Sequence, residues 1–111
     1  MIVYTDGSGK TGNYVYVIPE KKIVKLFQKR GITNNEAEYL GVATALKEIR
    51  NKNIRLFSDS QLIVNQLNRK YKIKEPRLKT LAEQVWKLCE NRNVEFTWIP
   101  REKNKAGHIL G

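Results

Sequence analysis

The chain has 111 residues, 41% of them hydrophobic and 29% charged, enough for one packed domain with one core and too few for two. Lys and Arg number 21 against 11 Asp and Glu, a net charge of +10 without any low-complexity tract, which argues against disorder and points to a polyanionic partner. The single Cys89 excludes an intramolecular disulfide, no apolar run approaches the ~20 residues of a membrane span, and Ile2-Val3-Tyr4 opens no signal peptide, so the expectation is a soluble, intracellular, cytoplasmic protein.

Met1–Thr5 is apolar and β-branched and predicts a strand, punctuated by Asp6-Gly7-Ser8-Gly9. Asn13–Ile18 predicts a second strand, stopped by Pro19. Lys22–Lys29 predicts a third after a Glu20-Lys21 turn, and the short connections make the three an antiparallel meander. Thr33 or Asn34 caps the next helix, in which Ala37, Leu40, Ala43, Ala45 and Leu46 recur at helical spacing to about Asn51. Asn53–Ser58 predicts a fourth strand, and a strand–helix–strand unit of this length lays it parallel to a neighbour. Ser60–Asn68 predicts a short helix, Arg69–Lys74 a basic linker, and Pro76 starts a helix running to Asn91. Cys89 falls in that helix as a buried structural thiol. Val94–Ile99 predicts the fifth strand, ended by Pro100, and a basic segment closes the chain at Gly111. No internal repeat or inter-domain linker interrupts residues 1–111, which read as a single domain.

Asp6 and Asp59 each end a predicted strand, and Glu38 lies in the opening turns of a helix. Singly, Asp6-Gly7 is a turn signal, Asp59 a helix cap and Glu38 a helix-surface acid. Strand ends and a helix start can meet at one sheet edge, however, and three carboxylates gathered there repel one another unless a hard divalent cation joins them. Phosphodiester hydrolysis uses such sites: two divalent ions roughly 3.5–4 Å apart generate the nucleophile from water and stabilise the leaving oxygen.

The motifs carry a family resemblance over nearly the whole chain. Tyr4-Thr5-Asp6-Gly7-Ser8, the run Thr33-Asn34-Asn35-Glu36-Ala37-Glu38-Tyr39-Leu40-Gly41, Ser58-Asp59-Ser60-Gln61 and Trp98-Ile99-Pro100-Arg101-Glu102-Lys103-Asn104 resemble, in order, the four motifs of type 1 ribonuclease H in its archaeal and bacterial branch. The resemblance implies an α/β, ribonuclease H-like fold, a mixed five-stranded sheet flanked by helices. It implies a metal-dependent endoribonuclease that cuts the RNA strand of RNA/DNA hybrids with two Mg²⁺ or Mn²⁺ ions. It makes Asp6, Glu38 and Asp59 the shared metal ligands and selects Glu38 over Glu36, since the motif's Glu falls five residues after Thr33. The sequence departs at the fourth ligand. Family members commonly carry an Asp four residues after the position of Asn104, and here that position is His108. A neutral imidazole nitrogen is a usable ligand but brings no negative charge, and Mn²⁺ tolerates it better than Mg²⁺. The bland alternative is a surface His near a terminus. Nor is there a second His for the proton transfer some members assign to a loop His.

Gly7 and Ser8 flank Asp6 and are expected to bring backbone N–H groups close to the nucleic acid, and the resemblance extends to further contacts. Asn13, Asn34 and Gln61 match hybrid-contacting positions, and Thr33 helps hold a DNA phosphate. The 2′-hydroxyl is the handle that separates RNA from DNA. Lys70, Lys72 and Lys74 alternate with Tyr71 and Ile73, which reads either as a solvated linker anchored by those two residues or as a phosphate-tracking strip. Arg101 heads a second basic group. Neither group reads base identity, so binding is expected to be sequence-independent and salt-sensitive. Trp86 reads as core, and Trp98 as core or rim. The expected partner is an RNA/DNA hybrid, with double-stranded RNA a further candidate. No membrane association and a monomeric state are expected. The rival readings are a weak or non-catalytic hybrid-binding module, a nuclease selective for double-stranded RNA or branched DNA, and a detached reverse-transcriptase domain.

Overall fold

In the computed structural model, which describes residues 1–110, the β-branched opening run forms β1 (Ile2–Gly7). It is longer than predicted: Asp6 and Gly7 pair with Val15 and Tyr14 of β2 (Asn13–Ile18), so the Asp-Gly step lies inside the strand rather than in the turn. A 3₁₀ turn at Pro19–Lys21 leads to β3 (Ile23–Gln28), with Lys22 in the left-handed region at φ 54°. Helix α1 (Asn34–Glu48) is capped by Thr33. The Thr33 Oγ1 accepts from the Glu36 N–H at 3.1 Å, and the Glu36 carboxylate accepts from the Thr33 N–H at 3.0 Å, a reciprocal capping box. Then follow β4 (Asn53–Ser58), α2 (Gln61–Leu67) capped by the Ser60 hydroxyl, α3 (Pro76–Leu88) and β5 (Asn93–Trp98). The basic C-terminal segment is not bare coil: Arg101–Lys103 makes a 3₁₀ turn and Gly107–Leu110 a short helix, α4.

The sheet order is β3-β2-β1-β4-β5, antiparallel through β1, β2 and β3 and parallel from β1 through β4 to β5. Strand alternation divides its two faces. Val3, Tyr16, Ile18, Ile54 and Leu56 face α1 and α3 and join Tyr39, Val42, Leu46 and Val85 in the main core. Val15 and Val17 point the other way and close a smaller core with Ala106, against which Tyr4 and Leu110 pack. Tyr4 also stacks on Phe57 on that face, with ring centroids 5.3 Å apart.

Both long helices stop about three residues short of prediction, and one side chain accounts for both ends. The Arg92 guanidinium donates to the carbonyls of Leu46 (2.9 Å) in the last turn of α1, of Ile49 and Asn51 (3.1 Å) just after it, and of Leu88 (3.0 Å) at the end of α3. Carbonyls at a helix C-terminus lack intrahelical partners and carry the negative end of the dipole, so one cation serves two termini. Cys89 caps α3 and is half-buried, its thiol pushed up by burial. Among the described residues no helix is long and apolar enough to cross a membrane.

Candidate active site

Strands β1 and β4 are parallel neighbours, so their C-terminal ends open on one edge of the sheet, where ligand sites of α/β folds form. Asp6 is the penultimate residue of β1, and Asp59 directly follows β4. Helix α1 brings Glu38 to the same edge because its first turns lie against the end of β1. Gly7 permits that approach: a Cβ there would fall 2.6 Å from the Glu38 backbone nitrogen and collide with the Ala37 carbonyl group. One carboxylate oxygen from each of Asp6, Glu38 and Asp59 lies within 4.8 Å of the others. Glu36, two residues earlier, is held in the capping box instead.

Asp6 and Glu38 are each only 6% exposed. Burial, and then the charges of Asp6 and Asp59, push the Glu38 carboxyl up to about 9. Burial and then Asp59 raise Asp6, while the Gly7 backbone N–H and, less strongly, Arg101 act in the opposite direction. Glu38 Oε1 is buried with no hydrogen-bond partner among the described residues. A buried glutamate with an orphaned oxygen, grouped with two more carboxylates, is an all-oxygen donor set that fits a hard divalent ion.

The C-terminal segment braces this group. Asn104 is fully buried, and its amide nitrogen donates to Asp59 Oδ2 and to the Thr5 carbonyl, both at 3.0 Å. Its amide oxygen accepts from the Ala106 N–H. The Trp98 indole donates to the Asp59 carbonyl at 3.1 Å while remaining on the rim, and Gly107 of α4 stands beside the carboxylates of Asp6 and Asp59. Such partners orient ligands without touching the ion. Sequence reading named Asn104 only as part of a motif. Its bonds span 99 and 45 residues and leave no local signal.

Residues 9–111 match the family model described as reverse transcriptase-like. A ribonuclease H of Desulforamulus reducens is 36% identical over 125 aligned residues, covering 96% of this chain and 77% of that protein. The chain belongs to the ribonuclease H family. A type 1 ribonuclease H isolated from compost, solved in complex with an RNA/DNA hybrid, is 30% identical with a TM-score of 0.85, over 98% of this chain and 91% of that one. The type 1 ribonuclease H of the halophilic archaeon Halobacterium salinarum, at 24% identity, shares the fold with a TM-score of 0.84 over 98% and 92% of the two chains. Ribonucleases H use divalent metal ions, and a cluster of three carboxylates with the spacing to hold such an ion is present here.

The remaining predicted residues of this ribonuclease H scatter around that edge. His108 lies on α4, exposed, with Nε2 3.2 Å from the Glu102 carbonyl. The structure does not bring it into the carboxylate group: among the described residues, that group is Asp6, Glu38 and Asp59. Asn34 Oδ1 accepts from the Gly9 N–H at 3.1 Å, tying the β1–β2 turn, which contains Ser8, to the start of α1. Thr33 is exposed at the α1 cap, Asn13 half-buried at the start of β2, and Gln61 exposed at the start of α2. Arg101 is exposed and close enough to act on Asp6. Lys70, Lys72 and Lys74 are exposed on the α2–α3 connection, beyond the far end of α2 from Asp59.

Proposed function

We propose that this ribonuclease H, with residues 1–111 acting as one catalytic domain, cuts the RNA strand of RNA/DNA hybrids internally at the Asp6–Glu38–Asp59 centre, with two Mg²⁺ or Mn²⁺ ions as cofactor. The observation that carries the reading is the trio of carboxylates, two of them buried and one with an unpartnered oxygen, in a chain of net charge +10. When bound, the ions supply an activated water and stabilise the leaving 3′ oxygen. The side chains contribute the rest. Glu38 and Asp6, raised by burial and mutual repulsion, release their protons as cation charge replaces them. Asn104 holds Asp59 Oδ2 in a fixed orientation. In this reading Gly7, Ser8, Asn13, Thr33, Asn34 and Gln61 line the hybrid's path, Arg101 and Lys70, Lys72 and Lys74 meet phosphates, and the working unit is a monomer in the cytoplasm, where RNA meets DNA.

The fourth position separates two variants of the reading. His108 completes a four-ligand site only by bringing a ring nitrogen into the carboxylate group, and its Nε2 lies instead 3.2 Å from the Glu102 carbonyl. Left there, it leaves a three-carboxylate centre and a weaker enzyme. The test is incubation of a labelled hybrid, a double-stranded RNA and a DNA duplex with Mg²⁺, Mn²⁺ or EDTA. Metal-dependent internal cuts in the hybrid's RNA are expected, with the DNA duplex intact. Cleavage of the hybrid in EDTA, or of neither RNA substrate with metal, overturns the reading.

A further inference from the structure

The connection between α2 and α3 was expected to be a solvated linker anchored by Tyr71 and Ile73, or a strip for duplex phosphates. It is more built than either. The N–H groups of Lys70 and Tyr71 both donate to the Asn65 carbonyl, at 2.8 and 3.1 Å, and Arg69 takes the left-handed region at φ 61° to turn the chain. The Arg69 guanidinium lies 3.8 Å above the Trp86 ring, whose indole N–H donates to the Leu67 carbonyl at 3.0 Å. Ile73 packs on the main core and serves as the anchor, whereas Tyr71 stays 50% exposed.

The result is an open groove of 440 Å³ whose walls include Arg69, Lys70, Tyr71, Lys72, Lys79 and Trp86. No acidic residue lines it, and none of its four cations is in an ion pair among the described residues. Duplex phosphates explain lysines, but they do not explain a half-exposed tyrosine held among them by an ordered backbone. Cations tracking a backbone beside an exposed aromatic ring are what an unpaired strand requires, because every base has a face to stack. We propose that this groove binds an unpaired nucleotide of a single strand running off the hybrid, its base stacked on Tyr71 and its phosphates met by Lys70, Lys72 and Lys79. The seven residues of α2 separate the groove from Asp59, about 10 Å at 1.5 Å per residue, so a strand leaving the cleavage centre arrives within a few nucleotides. The enzyme thereby favours hybrids that end in a single-stranded junction over fully paired ones.

The inference rests on hybrid recognition, and the test keeps the two apart. Binding is measured in EDTA for a blunt hybrid and for hybrids carrying a single-stranded DNA or RNA overhang at either end. Cleavage of the blunt hybrid with Mg²⁺ or Mn²⁺ is followed separately. Base–aromatic stacking of about 1–3 kcal/mol corresponds to tighter overhang binding by roughly fivefold or more. Tyr71→Ala should erase that advantage while leaving blunt-hybrid binding and cleavage within about twofold, and Tyr71→Phe should retain it. An advantage confined to one strand or one polarity supports the groove and names its occupant. Equal binding of blunt and overhang hybrids by the wild type overturns the proposal, as does a Tyr71→Ala loss shared equally by both. Failure of the wild type to cut the blunt hybrid counts against the enzymatic reading instead.

Discussion

The two ends of the parallel strands solve opposite electrostatic problems. At the N-terminal edge, carbonyls from the ends of α1 and α3 converge, and Arg92 supplies the positive charge from within the chain. At the C-terminal edge three carboxylates converge, and Glu38 Oε1 has no hydrogen-bond partner among the described residues. One edge is finished by folding. The other gathers carboxylates whose burial and mutual repulsion raise Glu38 and Asp6. A site that binds and a junction that merely holds are thus distinguished by whether the compensating charge is part of the sequence.

Substitutions at each edge should behave accordingly. Asp6→Asn removes a carboxylate from the C-terminal edge and should lower hybrid cleavage on the order of a thousandfold, about 4 kcal/mol in barrier, with the fold retained by circular dichroism. Wild-type-like cleavage would break the comparison at once. Arg92→Leu acts on the finished edge. It strands several carbonyls and should destabilise the protein by about 3 kcal/mol in denaturant unfolding, with the metal requirement of the folded fraction unchanged. A changed metal requirement would mean that the two edges are coupled.

The third test uses pH. Glu38 sits at about 9 in the folded protein against an ordinary value of 4.5, so between those values the folded state holds a proton that the unfolded chain has released. Metal-free stability is therefore fully present below about 4.5 and declines as pH rises towards 9, with Asp6 acting in the same direction. At pH 7, well above the ordinary value of 4.5, the loss should be on the order of 3 kcal/mol. Saturating divalent metal, or Glu38→Gln, should flatten the profile, and calorimetric melting across pH with and without metal reads it. A metal-free melting temperature that climbs from pH 5 to pH 9 would contradict the assignment.

Smaller effects sharpen the picture. Asn104→Ala frees Asp59 Oδ2 and should raise the metal concentration needed for half-maximal activity by about tenfold or more. His108→Asp replaces a nitrogen by an oxygen donor with a charge and should shift metal preference from Mn²⁺ towards Mg²⁺ by a few-fold. An unchanged preference in both His108→Asp and His108→Ala would fix the centre as a three-carboxylate one.

Much of this was legible because local chemistry and tertiary placement agree. Short runs of β-branched, aliphatic and aromatic residues between polar or turn-forming stretches are the five strands, and Thr33 with Glu36 marks the start of α1 in the sequence itself. The strand ends could be matched to the carboxylates before any contact was known. What escaped depends on distance along the chain. Asp-Gly reads as a turn, yet pairing with β2 carries β1 through it. Arg92 looks like any residue after a helix until the end of α1 is brought beside it, and α4 is too short for periodicity to reveal. Apolar–basic alternation over Arg69–Lys74 does not say whether Tyr71 or Ile73 turns inward, and it is Ile73 that does.

The contact at Gly7 has a broader consequence. At Gly7 the separation between β1 and α1 at the carboxylate edge is set by main chain against main chain, with no side chain between them. The large residues of the core lie further along α1 and can be exchanged, repacked or lost to sequence drift without first altering how far Asp6 stands from Glu38. The spacing of the carboxylates is therefore sensitive at Gly7, where even a single added methyl group would wedge the strand and helix apart.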